Sequence, residues 1–389
     1  MYTLSDFDFK LPPRLIAQEP AHPRDQARLL VYDRAKGTII DDYFYNLPLH
    51  LPTQSTLVLN NSKVEKCRLV FPASSQNATE VTPQIDIKSA PIIETHNASQ
   101  NASSSTTHST SNSTNQSSRD IEIFVLETIN HTTVRAMVRP GKKFTLHAEL
   151  ALSGGISAKV TAVSEGGLRT IEFNMPLDDP TFDEFRLTPL PPYIEQNEAL
   201  ADEYQTVYAS PLGSKAAPTA GLHFTPELLD RIKQEHAIAE ITLHVGMGTF
   251  APVKTNDLSN HVMHEEWFSI TKEASQLLNA ASHITAVGTT SVRTLESADH
   301  PFGEQTKATD IFITPGYKFT KTNALITNFH LPKSTLLMLV SAFIGDQQPE
   351  QYRLSQQSQQ PVEELQRIYA HAIRQEYRFY SFGDAMLIV

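Results

Sequence analysis

Two histidines set among glycines and hydroxyls mark the part of this chain best suited to chemistry. His223 lies in Pro218-Thr-Ala-Gly-Leu-His-Phe224, and His244 opens His244-Val-Gly-Met-Gly-Thr249. An imidazole takes up or releases a proton near neutral pH. Glycine lets a backbone come close to a ligand. Two further junctions have the same character. Val287-Gly-Thr-Thr-Ser-Val-Arg293 sets Thr289 and Thr290 at a helix start, where backbone N–H groups can hold a carboxylate. Asn328-Phe-His-Leu-Pro-Lys-Ser334 contributes His330. Any one of these reads as turn and cap chemistry; four in one domain read as a site. His261-Val-Met-His-Glu-Glu266 adds His264 and Glu266. Its histidines are spaced i and i+3, not the i and i+4 of the helical zinc motif. Acid/base work is therefore the first reading and metal binding the second.

These residues need elements to hold them. From Pro189 onward, strand patterns alternate with helix patterns. Ile284-Thr-Ala-Val-Gly288 runs into a helix over Thr289–Ser297, and Ala324–Phe329 is followed by an apolar helix from Pro332 to Ile344. A last helix spans Val362–Glu376. This is an α/β pattern, and ligand sites in such folds favour strand-to-helix junctions. Between about 66 and 185 the pattern is instead a series of short strands with turn signals at Pro140-Gly141, Gly154-Gly155 and Gly166-Gly167. That predicts a small antiparallel β-barrel. The first 65 residues carry too little core to stand alone. The expected architecture is a discontinuous α/β main domain, 1–65 plus 186–389, with the barrel domain 66–185 inserted. Residues 74–118 are expected to be a disordered loop. Eighteen of the 24 residues from Thr95 to Ser118 are Ser, Thr or Asn, which cannot bury enough apolar surface to offset the entropy of ordering.

Composition narrows the classes. The 389 residues are 40% hydrophobic and 19% charged, as in a soluble globular protein. One cysteine excludes a disulfide framework or a cysteine-rich zinc site. The N-terminus has acids where a signal peptide would be basic and apolar, and no run suits a membrane span. A monomer in the cytoplasm, with no membrane partner, is the expectation. The net charge of −11 argues against non-specific coating of nucleic acid, while leaving room for a local basic patch. Candidates for such a patch are Arg14, Arg28 and Lys63, and Arg139, Lys142 and Lys143 in the barrel. No dinucleotide-binding or phosphate-loop glycine motif is present, and no serine-hydrolase elbow.

Taken in order, the motifs resemble one family. They include Arg28-Leu-Leu-Val, Leu59-Asn-Asn, Val138-Arg-Pro-Gly, Leu190-Pro-Pro-Tyr-Ile194 and Tyr204-Gln-Thr-Val-Tyr208. Ala216–Thr225, Leu243–Phe250, Met263-His264, Ala286–Glu296, Leu325–Leu339 and Phe382-Gly-Asp-Ala-Met386 complete the set. The chain is similar, nearly end to end, to the S-adenosylmethionine:tRNA ribosyltransferase-isomerases of queuosine biosynthesis. It departs from them at Asn60-Asn-Ser-Lys-Val64, at Glu265, and in the Ser/Thr/Asn insert, which stands where the family has a short basic hairpin. The resemblance implies transfer of the ribosyl part of S-adenosylmethionine to 7-aminomethyl-7-deazaguanine at the wobble position of tRNA. Epoxyqueuosine would form, with adenine and methionine released. S-adenosylmethionine would be a co-substrate, with no true cofactor and no metal. On that reading His223, His244, His264 and Glu266 serve the proton transfers. Thr219, Gly221, Gly246, Thr289, Thr290, Arg293 and His330 hold the nucleoside and its carboxylate, for which the Arg293 fork is suited. The basic candidates would grip the tRNA. A metal-assisted hydrolase built on His261, His264 and Glu266 is the runner-up, and a non-catalytic RNA-binding barrel is the other alternative.

Overall fold

The computed structural model describes residues 2–72, 120–246, 253, 255–346 and 360–389. The segment expected to be a disordered loop therefore lies outside the described residues, as does the end of the His244 motif from Met247 onward. The chain divides into two compact units, Met1–Arg68 with Arg186–Val389, and Leu69–Phe185.

The larger unit is built on a mixed sheet. Its described strands are β1 (Arg28–Asp33), β2 (Thr38–Tyr43), β3 (Thr56–Asn60), β4 (Ile238–Leu243), β5 (Glu266–Ile270), β6 (Ile284–Val287), β7 (Gln305–Thr309), β8 (Ala324–Asn328) and β9 (Ala385–Ile388). They lie in the order β7-β5-β4-β3-β6-β8-β9-β1-β2. The centre, β4-β3-β6-β8, is parallel. Its strands β3 and β6 are buried at every position, as strands covered on both faces require. The flanks turn antiparallel at β4-β5, β5-β7, β8-β9 and β1-β2. The sequence pattern suggested plain strand–helix alternation. The flanking strands depart from that alternation: β5 runs opposite to β4 and β7, β9 opposite to β8, and β2 opposite to β1.

Alternation along the strands separates two cores. Leu30, Tyr32, Val58, Ile241, Leu243 and Phe268 face one cluster, under α2 (Lys272–Ala280), α3 (Thr289–Ser297), α4 (Thr335–Asp346) and α5 (Gln360–Arg374). Leu29, Val31, Leu57, Leu59 and Val287 face the other, under α1 (Pro226–Ile232) and the segment around Phe44 and Leu47. The helix starts follow local rules. The Thr225 hydroxyl accepts from Leu228 N at 3.1 Å, with Pro226 in the first turn of α1. Gly288, at φ 87°, makes the turn from β6 into α3, a conformation that glycine reaches without strain.

At its far end, α3 is held by one carboxylate. Glu296 is buried and accepts from the backbone N–H groups of Thr320, Lys321 and Thr322 and from the hydroxyls of Thr320 and Thr322, at 2.9–3.2 Å.

The smaller unit is an antiparallel sheet. Its strands lie in the order Arg186–Leu187, Arg68–Phe71, Ile121–Thr128, Thr133–Arg139, Arg169–Phe173, Ser157–Val163 and Glu149–Ala151. Among the described residues no pairing closes the Glu149–Ala151 end onto the others, so a curled open sheet stands where a closed barrel was expected. Closure needs first and last strands long enough to pair along their length, and these have two and three residues. No described helix is long and apolar enough to cross a membrane.

The Glu296 carboxylate makes α3 the best-anchored of the helices that reach the cleft. We expect Glu296→Ala to lower unfolding free energy by about 3 kcal/mol in urea titration, because several buried donors lose their acceptor together.

Candidate active site

The carboxyl ends of the parallel strands β4, β6 and β8 border a cleft that opens to solvent. Its walls come from four segments: Ala216–Ala220, Gly288–Thr290 at the start of α3, Thr327–Leu331 after β8, and Tyr380 with Ser381. Tyr193, Val245 and Ser334 complete the lining. Four residues expected at the site, Thr219, Thr289, Thr290 and His330, lie on it.

Asn328, the last residue of β8, organises one wall. Its side-chain oxygen accepts from the Thr219 hydroxyl at 2.8 Å, and its amide donates to His223 Nε2 at 3.1 Å. His223 is thus tied to the cleft from behind. It is buried, and its ring packs 5.0 Å from that of Phe44. Burial, helped by the nearby charges of Arg378 and Arg24, pushes its pKa down to about 3. His330 is similar. Its Nε2 meets the Thr327 hydroxyl at 2.9 Å, its backbone N–H donates to the Tyr369 hydroxyl at 3.0 Å, and burial takes its pKa to about 3. Both imidazoles are neutral at working pH. The structure gives His223 the part of an oriented hydrogen-bond acceptor, a different part from the proton carrier expected.

A second group forms around Glu266, the first residue of β5. Glu266 and Arg293 make a buried ion pair. The Gly246 N–H donates to the other carboxylate oxygen at 2.8 Å. The β4-β5 register sets Glu266 opposite Val245, which lines the cleft. Arg293 lies one helical turn after Thr289, on the same face of α3. Its Nε and Nη2, and the Thr290 hydroxyl, are buried and have no hydrogen-bond partner among the described residues, whereas buried polar atoms are nearly always bonded.

The other candidates are elsewhere. By the same register, His244 points to the opposite face of the sheet from Glu266. Its ring lies against Gly213, 3.1 Å from where a Cβ would stand, and its Nδ1 is buried without a partner. Burial first, and then Lys215, lower its pKa. His264 is exposed. His261 packs edge-on against Phe312 with ring centroids 5.0 Å apart. Gly221 is not on the cleft. A Cβ there would collide with the Tyr208 hydroxyl and lie 2.9 Å from Thr206 Cγ2, so the glycine is required by packing.

Of the basic candidates, Arg14 pairs with Glu376 on the surface. Arg28 stacks over Tyr377, 3.8 Å from its ring centroid, and donates to the Gln375 carbonyl. Lys63 is exposed, as are Arg139, Lys142 and Lys143 of the smaller unit, and none of the four has an ion-pair partner among the described residues. Asn328, Tyr193, Tyr380 and Ser381 were not foreseen as site residues. Asn328 stood inside a quoted motif, but nothing local distinguished it from a strand-end residue.

A mixed α/β scaffold with a largely apolar cleft at its strand ends, into which a few hydroxyl, amide and imidazole groups converge, fits the small-molecule sites of the α/β class. The comparisons make this specific. The family model described as "Queuosine biosynthesis protein" matches residues 4–388. The S-adenosylmethionine:tRNA ribosyltransferase-isomerase of Moorella thermoacetica is 40% identical over 397 aligned residues, covering 99% of both chains. That of Thermotoga maritima is 39% identical over 393, again covering 99% of both. The crystal structure of S-adenosylmethionine tRNA ribosyltransferase from Thermotoga maritima aligns with 31% identity and a TM-score of 0.48, over 99% of this chain and 100% of that one. The chain belongs to the queuosine biosynthesis protein family, that of the S-adenosylmethionine:tRNA ribosyltransferase-isomerases.

Two outcomes follow from the geometry. Gly221→Ala should destabilise the protein by about 2 kcal/mol, and adding Tyr208→Phe should recover part of that loss in thermal or urea unfolding. The second concerns pH. His223 and His330 have folded pKa values of about 3 against 6.5 when unfolded. The unfolded chain therefore binds more protons between these limits. The stability from each is complete above pH 6.5 and is lost as pH falls toward 3. Unfolding free energy should drop between pH 6 and 4, and His330→Gln should make that slope shallower by about 1.4 kcal/mol per pH unit.

Proposed function

We propose that this protein moves the ribosyl group of S-adenosylmethionine onto the aminomethyl group of 7-aminomethyl-7-deazaguanine, at the wobble position of tRNA. The ribosyl group is isomerised to give epoxyqueuosine, and adenine and methionine leave. Support beyond family membership comes from the Thr290 hydroxyl, which lines the cleft, and from Nε and Nη2 of Arg293 three residues further along α3, all without a partner among the described residues. Two parallel N–H groups of a guanidinium suit the two oxygens of a carboxylate, which the methionine half of the donor brings. Glu266 already balances the charge of Arg293. A ligand carrying both a carboxylate and a sulfonium cation then enters a neutral site.

The reaction asks for three proton transfers. One leaves the ribose carbon beside the sulfonium, which the positive charge acidifies. One reaches adenine as it departs, and one leaves the attacking amine. We assign the first of these to Glu266. His223 and His330, held neutral by burial, orient Asn328, Thr219 and Thr327 around the nucleoside. Lys63, Arg139, Lys142 and Lys143, exposed and without ion-pair partners among the described residues, are candidates to meet the tRNA backbone.

The test incubates the protein with S-adenosylmethionine and tRNA bearing the aminomethyl base. Adenine release with a mass gain on the anticodon nucleoside is expected; methyl transfer, or no adenine, rejects the reading. Arg293→Met should raise KM for S-adenosylmethionine at least tenfold. Glu266→Gln should lower kcat by roughly 10²–10⁴.

A further inference from the structure

One side of the cleft is aromatic. Tyr193 and Tyr380 both line it, with ring centroids 4.6 Å apart and planes tilted by 53°. The hydroxyls of Tyr193 and the buried Ser381 share a hydrogen bond of 2.7 Å, which ties the pair to the cleft wall. Phe329 also borders the cleft, but its ring packs among Tyr369, Tyr377 and Phe379. The segments Ala216–Ala220 and Gly288–Thr290 bring mostly small side chains.

Tyr380 holds an uncommon conformation. Its φ is 73°, in the left-handed region that a bulky side chain rarely adopts. Strain of this kind persists only where the surrounding structure fixes it, and it gathers at ligand sites. Here hydrogen bonds do the fixing. The Tyr380 N–H donates to the Phe329 carbonyl at 3.0 Å, and the Tyr380 carbonyl accepts from Gly383 N–H at 3.1 Å. The Arg378 N–H donates to the Asp384 carboxylate at 2.7 Å, and the Asp384 N–H returns to the Arg378 carbonyl at 2.9 Å. This closed turn keeps the Tyr380 ring at the cleft in spite of a strained backbone.

The strand order fixes where along the cleft the tyrosines stand. The start of α3 follows β6, Asn328 ends β8, and Tyr380 with Ser381 precedes β9; β6, β8 and β9 are neighbours in that order. β9 runs opposite to β8 and pairs Ala385 with Asn328, so its beginning lies at the end of β8. The start of α3 and the tyrosines are therefore separated by two strand spacings, on the order of 10 Å. A ligand whose carboxylate meets Thr290 and Arg293 reaches the tyrosines only with the end remote from that carboxylate. In S-adenosylmethionine the sulfonium lies partway along and the remote end is adenine, a planar base. Bases stack well on aromatic side chains.

We propose that Tyr193 and Tyr380 form the wall on which the adenine of the donor stacks, with Tyr380 as a positioning residue for the base. This rests on the reading that S-adenosylmethionine is the donor, and it adds where the two ends of that donor lie.

Adenosine, which has neither carboxylate nor sulfonium, isolates the wall. Its Kd by titration calorimetry is compared with KM for S-adenosylmethionine and KM for tRNA. Tyr380→Leu should weaken adenosine about ten- to a hundredfold and raise KM for S-adenosylmethionine by a similar factor. KM for tRNA should stay as in the wild type. Tyr380→Phe, which keeps the ring, should restore most of the loss, as a merely structural effect of the hydroxyl would not. Tyr193→Leu gives the same comparison should Tyr380→Leu fail to fold. The wall is refuted if adenosine binds the leucine variant as tightly as the wild type, or if Tyr380→Phe is as weak as Tyr380→Leu. It is refuted as well if the wild type binds S-adenosylmethionine but not adenosine, or if the loss falls on KM for tRNA, which would give the wall to the acceptor base. A refuted wall in a protein that still releases adenine with tRNA leaves the donor reading standing. A wild type that binds neither adenosine nor S-adenosylmethionine and releases no adenine takes both down.

Discussion

A guanidinium removed from water costs several kcal/mol unless it is paired and hydrogen-bonded. Arg293 meets that cost only in part. Glu266 takes one nitrogen, and the Gly246 amide steadies Glu266 from the other side. This joins the first turns of α3, the start of β5 and the end of β4 at one point, and the cleft lies where those three ends converge. Two Arg293 nitrogens remain unpartnered. The arrangement is held firmly enough to keep its shape and is left incomplete where a ligand would finish it, which is how preorganised sites reduce the cost of binding.

The histidines divide the labour by depth. His223 and His330 lie behind the cleft walls and have lost their charged forms to burial. His264 is at the surface, and His244 is half-buried on the opposite sheet face from Glu266. Four histidines gathered by sequence motifs thus fall into two chemical kinds. Sequence spacing cannot separate them, because desolvation depends on which strands and helices cover a residue and those come from distant parts of the chain. Phe44 against His223 is one such case.

Local elements were legible where their signals were local. Thr289–Ser297 forms the helix expected from its hydroxyl start, and the strand ending at Asn60 lies in the sheet. The antiparallel flanks were not legible, since a strand pattern states burial and not direction. Nor was the open form of the smaller sheet, because short strands every few residues describe a curled sheet and a barrel alike. Gly221 was misleading for a related reason: a glycine needed for close approach looks the same whether the approaching group is a ligand or, as here, the Tyr208 hydroxyl. Tyr193 and Tyr380 reach the cleft from positions nearly two hundred residues apart, with no local pattern in common.

The order of strands has a consequence for how the molecule comes into being. The hairpin β1-β2 stands at one edge of the large sheet, and its only other neighbour is β9, the last strand of the chain. On the ribosome that hairpin is made first and must wait, with Leu29, Leu30, Val31 and Tyr32 unburied, until nearly all the remaining sequence has emerged. Pairings between such distant segments form slowly, and waiting apolar strands are what chaperones protect. Of the pairings in the large sheet, β1-β9 thus spans the most sequence, and it can form only once β9 has been made.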